Sequence, residues 1–185
     1  MKKPYYDLIM DELDKTLKKI STKDTQKLMD MISGSSRIFI TGKGRTGFIM
    51  NTFAIRLMQM GFKVHVLGEP SSPSIREDDL LLLGSGSGET ESLVAITSKA
   101  RKIGSKIAII TMNGESSIAK KADAVLVIPA KGSKLDKDSV SDSIQPMCNL
   151  FEQSLLIFLD LLSMLIMDQK NIDLKILYEK HANLE

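Results

Sequence analysis

Four leucines in succession, Leu80 to Leu83, run straight into Gly84-Ser85-Gly86-Ser87-Gly88-Glu89-Thr90-Glu91-Ser92. No other stretch restricts the fold as tightly. So short an apolar run reads as a strand buried on both faces. The helix-like segment Leu93 to Ile103 follows at once. A buried strand therefore enters a loop of glycines and hydroxyls, and that loop opens a helix. Glycine lets backbone N–H groups approach a ligand closely, and a helix N-terminus offers unpaired donors and a positive dipole end. Ser85, Ser87 and Thr90 add hydroxyl donors, a set that suits a phosphate monoester. A loop that only turns the chain, with Thr90 as a plain N-cap, is the alternative at this point. The loop lacks a Gly-Lys-Ser/Thr ending, so it is not the cradle of a nucleoside triphosphate. A second glycine loop, Gly42-Lys43-Gly44-Arg45-Thr46-Gly47, comes close to a dinucleotide fingerprint, but a dinucleotide is disfavoured.

The rest of the chain repeats the pattern. Arg37 to Thr41, Lys63 to Leu67, Leu80 to Leu83, Lys106 to Thr111 and Ala124 to Ile128 read as strands. Helices are expected over 47–60, closed by Gly61, over 90–103, closed by Gly104, and briefly over 117–121. Short strands rich in Ile, Leu and Val imply a mostly parallel sheet covered by helices on both faces. The expected fold is α/β, a three-layer αβα sandwich on a five-stranded sheet, flavodoxin-like or Rossmann-like. Ligands in such folds bind beyond the carboxyl ends of the strands. Both glycine loops sit there, so they can face one crevice.

Helical spacing at Leu8, Ile9, Leu13, Leu17 and Ile20 places a first helix over Tyr5 to Ile20, and a second follows over Thr25 to Ile32. One domain is expected over 1–185, with N-terminal helices in 1–34, an α/β core in 36–128 and C-terminal helices in 145–185. Ala130 to Asp142 is polar and charged, a lid candidate. A long helix is expected from about Gln145 to Asp168, and a shorter one from Leu174.

The long helix is apolar on more than one face. Met147, Leu150, Phe151, Leu155, Phe158, Leu162 and Leu165 form one stripe, and Leu156, Ile157, Leu159, Ile166 and Met167 fill much of the rest. Glu152, Gln153 and Asp160 interrupt it, and a charge at bilayer depth costs roughly 2.5 kcal/mol or more. It reads as a buried helix, and its second apolar face as an oligomer interface.

Bulk properties narrow the function. A net charge of +2 gives no case for nucleic acid. The single cysteine, Cys148, excludes an internal disulfide framework and fits a reducing, cytoplasmic setting. Cys148 itself reads as a small packing residue. Met1 to Asp14 is charged and lacks the apolar centre of a signal peptide. No cluster of metal ligands is evident, and no cofactor is implied. Among titratable residues, Glu152 stands out. Apolar surroundings disfavour a charged carboxylate, which suits a general base near neutral pH. A first-turn acid complementing the helix dipole is the other reading. His65 lies in a strand and reads as a packed or edge side chain. His181 reads as a solvated residue near the terminus. Lys43 and Arg45 are placed to meet a phosphate or sugar oxygens, or are simply exposed.

Ser85-Gly86-Ser87-Gly88-Glu89-Thr90 matches the Ser-x-Ser-Gly-x-Thr phosphate loop of the sugar isomerase (SIS) domain. Within that superfamily the chain resembles the 6-phospho-3-hexuloisomerases over nearly its full length. The segments that carry the resemblance are Gly44-Arg45-Thr46-Gly47, Phe53 to Met58, Gly68-Glu69-Pro70, Gly84 to Thr90, Ile144-Gln145-Pro146-Met147, Leu150-Phe151-Glu152-Gln153 and His181 to Glu185. The resemblance implies interconversion of D-arabino-hex-3-ulose 6-phosphate and fructose 6-phosphate, a step of formaldehyde fixation in the ribulose monophosphate pathway. It implies a homotetramer with sites at subunit interfaces, and no metal. It implies Glu152 as the proton-transferring base and His181 as a helper in moving protons or opening the sugar ring. Gly44, Arg45, Thr46, Ser85, Gly86, Ser87, Gly88, Glu89 and Thr90 are then the substrate-binding residues. Thr46 replaces a usual serine and keeps the hydroxyl. Lys43 replaces a small residue, and Cys148 a glycine. Arabinose 5-phosphate isomerase, phosphoheptose isomerase and a non-catalytic sugar-phosphate regulator are the competing readings. The first often carries regulatory domains, the second commonly uses a metal, and the third a DNA-binding domain.

Overall fold

A computed structural model of the chain describes residues 4–130 and 143–184. Beyond Ala130, the segment read as a lid candidate lies outside the described residues, as does Glu185. Two helices come first, α1 over Tyr5–Leu17 and α2 over Thr22–Ser33. Ser21 separates them. Its hydroxyl accepts the Asp24 N–H at 3.2 Å and starts α2 as an N-cap. α1 therefore stops short of the expected Ile20, and α2 starts earlier than Thr25.

The sheet has five strands: β1 Ile38–Gly42, β2 Val64–Val66, β3 Leu80–Gly84, β4 Lys106–Thr111 and β5 Ala124–Val127. Their order is β2-β1-β3-β4-β5, and every neighbouring pair is parallel. Alternate residues divide the strands between two cores. Ile38, Ile40, Leu80, Leu82, Ala108 and Ile110 face one side. Phe39, Leu81, Leu83, Ile107 and Ile109 face the other. The first side is covered by α1, α2, α3 (Gly44–Gln59) and α5 (Asn149–Lys170). The second is covered by α4 (Glu91–Ile103) and a 3₁₀ turn at Ala119–Lys121. A last helix, α6 (Leu174–Glu179), packs on α3. The three-layer αβα arrangement is the one expected.

The order of strands fixes where a ligand can sit. β1 lies between β2 and β3, so the chain leaves β1 to one side and returns on the other. The loops after β1 and β3 diverge from adjacent strand ends, and the crevice between them is the topological switch point of the sheet.

Three boundaries differ from expectation near that crevice. α3 begins at Gly44, not Gly47, so the first glycine loop is itself the first helical turn. The short helix expected over 117–121 is a 3₁₀ turn. α5 begins at Asn149, not Gln145. Met147 is left-handed at φ 58°, a conformation an α-helix cannot run through, so α5 starts after it.

The opposite edge of β1 and β3 is pinned by an ion pair. Arg37, just before β1, donates from Nε and Nη2 to Asp79, just before β3, at 3.0 and 2.6 Å. Asp79 also accepts the Arg76 N–H at 2.7 Å. Burial works to raise the Asp79 carboxyl, but the Arg37 hydrogen bond, the Arg76 N–H and the two positive charges outweigh it and hold it below the usual carboxylate range. The hydrogen bond to Asp79 in turn raises the Arg37 guanidinium.

Candidate active site

Close approach of backbone to backbone shapes the first loop. A Cβ on Gly47 would stand 2.8 Å from the Gly42 carbonyl oxygen, and one on Gly84 would stand 2.6 Å from Met50 Cγ. Glycine at these positions lets α3 descend onto the ends of β1 and β3. Glycines 42, 44 and 47 have the full spacing of the dinucleotide fingerprint, which corrects the reading that the loop only comes close to it. Spacing alone therefore does not set this loop apart from one.

The second loop is tied down along its back. Ser85 N–H donates to the Ile110 carbonyl at 3.0 Å, and the Gly86 carbonyl accepts from Met112 N–H and Thr111 Oγ1 at 3.0 and 3.1 Å. Gly88 is left-handed at φ 66°, and a Cβ there would overlap Ser116 Oγ. Its N–H donates to Ser85 Oγ at 3.1 Å. Glu89 Oε1 accepts the Ser117 N–H at 2.8 Å. Hydrogen bonding from the Ser117 hydroxyl, then from its N–H, holds the Glu89 carboxyl below its usual range. Gly88 and Glu89 were expected to bind substrate. They do not line the cleft of this chain, and their contacts with Ser85, Ser116 and Ser117 brace the loop.

The front of both loops opens on a cleft of about 500 Å³. Of the expected binding residues, Gly44, Arg45, Thr46, Ser85, Gly86, Ser87 and Thr90 line it. Lys43, Leu93 and Met112 join them, and the start of α5 supplies Met147, Cys148, Asn149, Phe151 and Glu152. The N-termini of α3, α4 and α5 thus converge on one cavity. Three positive dipole ends and their unpaired N–H groups make a strong anion site. Thr90 holds the N-cap position of α4, yet its side chain makes no capping bond. That favours the ligand reading of its hydroxyl over the plain cap.

Glu152 projects from the first turn of α5. Its Oε2 accepts from Arg45 Nε at 2.5 Å, across 107 residues of sequence. The carboxylate side chain is 12% exposed and the guanidinium 67%. Apolar walls, expected to surround Glu152, are only part of its environment. Phe151 and Met112 are there, but a cation is its direct partner.

His181 does not line the cleft of its own chain. It is exposed, with Nδ1 at 2.9 Å from the Ala182 carbonyl oxygen. His65 packs at the sheet edge, its ring centroid 5.1 Å from that of Phe39. Among the described residues no group of three His, Cys, Asp or Glu side chains is placed to hold a metal ion. The lining by Met147, Cys148 and Asn149 was not foreseen as part of the site. Asn149 stands three residues before Glu152, on the same helical face, and that spacing was a usable signal. The turn at Met147 left none.

α5 is long and apolar enough to cross a membrane by length and composition, but half of it is buried against the domain. Leu156, Ile157, Leu161 and Met164 on its outer side are exposed.

A family model for the SIS domain matches residues 31–161. The 3-hexulose-6-phosphate isomerase of Bacillus subtilis (strain 168) is 42% identical over 182 residues, covering 98% of this chain and 97% of that protein. The enzyme of the same name from Mycobacterium gastri is 38% identical over 178 residues, covering 96% and 88%. A crystal structure from Methanococcus jannaschii, for which a 3-hexulose-6-phosphate isomerase function was inferred, superposes with a TM-score of 0.86 at 36% identity, covering 98% of this chain and 99% of that one.

Proposed function

The chain belongs to the SIS-domain family, and from that premise we propose that it interconverts D-arabino-hex-3-ulose 6-phosphate and fructose 6-phosphate. It is a phosphosugar isomerase. The observation that carries the mechanism is one cleft holding both an anion cradle and a nearly buried carboxylate. The full-length relatives supply the identity of the sugar.

The reaction moves a carbonyl between C3 and C2. Glu152 takes the proton from C2, and the C–H electrons form the C2–C3 double bond of an enediol. The former carbonyl oxygen at C3 gains the negative charge and then a proton. The C2 hydroxyl loses its proton as the C2 carbonyl forms, and the carboxylic acid of Glu152 returns its proton to C3. One carboxylate serves both carbons, so no net proton is consumed. Developing charge on oxygen needs fixed donors, and the helix N-termini around the cleft supply them. Ser85, Ser87 and Thr90 hold the phosphate in this reading.

His181 acts from a neighbouring subunit, moving protons among sugar oxygens. Its absence from the lining of its own chain's cleft supports that assignment. The exposed apolar outer side of α5 supports assembly, read here as a homotetramer with sites at interfaces. A lone thiol is consistent with work in the cytoplasm.

The test is to incubate purified protein with fructose 6-phosphate and assay the 3-hexulose product. Turnover that persists after exhaustive chelation is expected. Absence of product from folded protein would reject the substrate, and loss of activity on chelation would reject the metal-free mechanism.

A further inference from the structure

Among the described residues two cations line the cleft, Lys43 and Arg45, and they are not equivalent. Lys43 is the N-cap of α3 and is exposed. Its side chain makes no capping bond, and no hydrogen bond or ion pair of its ammonium is seen among the described residues. Arg45, two residues on, is committed to Glu152 by the 2.5 Å contact from Nε. Glu152 is almost wholly enclosed, so its orientation depends on that contact more than the exposed guanidinium depends on Glu152. Among the described residues, the only other titratable group lining the cleft is the Cys148 thiol; the α4 loop contributes hydroxyls and N–H groups there. A substrate phosphate that recruited Arg45 would strip the carboxylate of its partner.

We propose a division of labour: Arg45 is a positioning residue that aims the Glu152 carboxylate, and Lys43 is the cation that meets the substrate phosphate. This rests on Glu152 being the base, and it reassigns Arg45 away from the phosphate role that the motif implies. An Nε–H donor fixes one carboxylate oxygen and leaves the second free to face a carbon-bound proton. An ammonium on a flexible stem suits a phosphate whose three oxygens sit among helix N-termini.

The experiment uses the full chain with two probes, fructose 6-phosphate for turnover and inorganic phosphate for binding. Lys43→Gln is expected to raise KM and weaken inorganic phosphate binding about tenfold, the loss of one charge-assisted contact, with kcat retained. Arg45→Gln is expected to lower kcat at least about tenfold with phosphate affinity within about twofold of wild type, and Arg45→Lys to recover part of kcat. The Arg45 Nε–H resonance is expected to persist when inorganic phosphate saturates wild-type protein and to shift in Glu152→Gln. A shift of that resonance on adding phosphate, or phosphate binding weakened as much by Arg45→Gln as by Lys43→Gln, would overturn the proposal. The resonance and the phosphate titration need no turnover, so a wrong substrate would leave this test intact. Arg45 is mostly exposed, and a thermal melt of each variant confirms folding.

Discussion

Two arginine–carboxylate pairs sit at opposite ends of the same strands. Arg37 and Asp79 close the amino ends of β1 and β3; Arg45 and Glu152 face each other beyond the carboxyl ends. The first pair makes two bonds, and Asp79 takes a third from Arg76 N–H while Arg37 Nη2 also donates to the Ser74 carbonyl. Its side chains are 20% and 2% exposed. The second pair makes one bond, with an exposed arginine on the edge of a cavity. A nearly buried carboxylate that already takes three hydrogen bonds has little left to offer a ligand. A pair with a free carboxylate oxygen and open space beside it has more. The same two residue types therefore serve the fold at one end of the sheet and the chemistry at the other.

Glu152→Gln breaks the functional pair and has the largest expected effect. Turnover should fall about 10³-fold, within the range that a positioned base contributes. Thermal stability should change little, since glutamine still accepts from Arg45. Steady-state kinetics with a melting curve checks both. Turnover within a few-fold of wild type would remove Glu152 from the mechanism.

Asp79→Asn breaks the other pair, and the losses should reverse. Removing one partner of a buried pair costs about 3 kcal/mol of stability. Activity per folded molecule should stay near wild type, because the cleft is at the far end of the strands. The pH dependence has a definite sign. The folded Asp79 carboxyl titrates below its unfolded value, so its contribution is complete above the ordinary carboxylate range. It is lost as pH falls through that range towards the lower folded value. Urea midpoints between about pH 5 and pH 2 should therefore drop more steeply for wild type than for Asp79→Asn. Equal slopes would show that the pair carries no linkage.

This contrast also separates what the sequence disclosed from what it hid. Leu80 to Leu83 followed by glycine and serine disclosed a strand, a loop and a helix N-terminus, because local sterics and dipoles decide them. The Ser-x-Ser-Gly-x-Thr spacing located Ser85, Ser87 and Thr90 at the cleft. The same motif could not tell the front of a loop from its back. Gly88 and Glu89 are held by Ser116 and Ser117, partners in the loop beyond the carboxyl end of β4. Both ion pairs were invisible for the same reason: 42 and 107 residues separate their members. The start of α5 was misplaced because Met147 adopts a left-handed backbone that its side chain does not advertise.

Ser87→Ala should have a smaller effect than either broken pair. Ser87 lines the cleft, and its hydroxyl accepts the Glu89 N–H at 3.2 Å. Losing a hydrogen bond to a charged phosphate costs about 1.5 kcal/mol, or roughly tenfold in affinity. KM for fructose 6-phosphate should rise by about that factor with kcat nearly unchanged. A fall in kcat alone would place Ser87 with the Arg45–Glu152 pair instead of with the phosphate.

Thr90→Ala gives the finest distinction and decides between the two readings that the sequence left open. An N-cap threonine that bonds its helix loses about 1 kcal/mol of stability on replacement by alanine. Thr90 occupies that position with no such bond, while its residue lines the cleft. Chemical denaturation of ligand-free Thr90→Ala should therefore give a free energy within about 0.5 kcal/mol of wild type. Inorganic phosphate should bind about fivefold more weakly, the loss of a single modest hydrogen bond. A destabilised apo-protein with unchanged phosphate affinity would make Thr90 a cap after all, and would leave the anion to the other two hydroxyls and the backbone of α4.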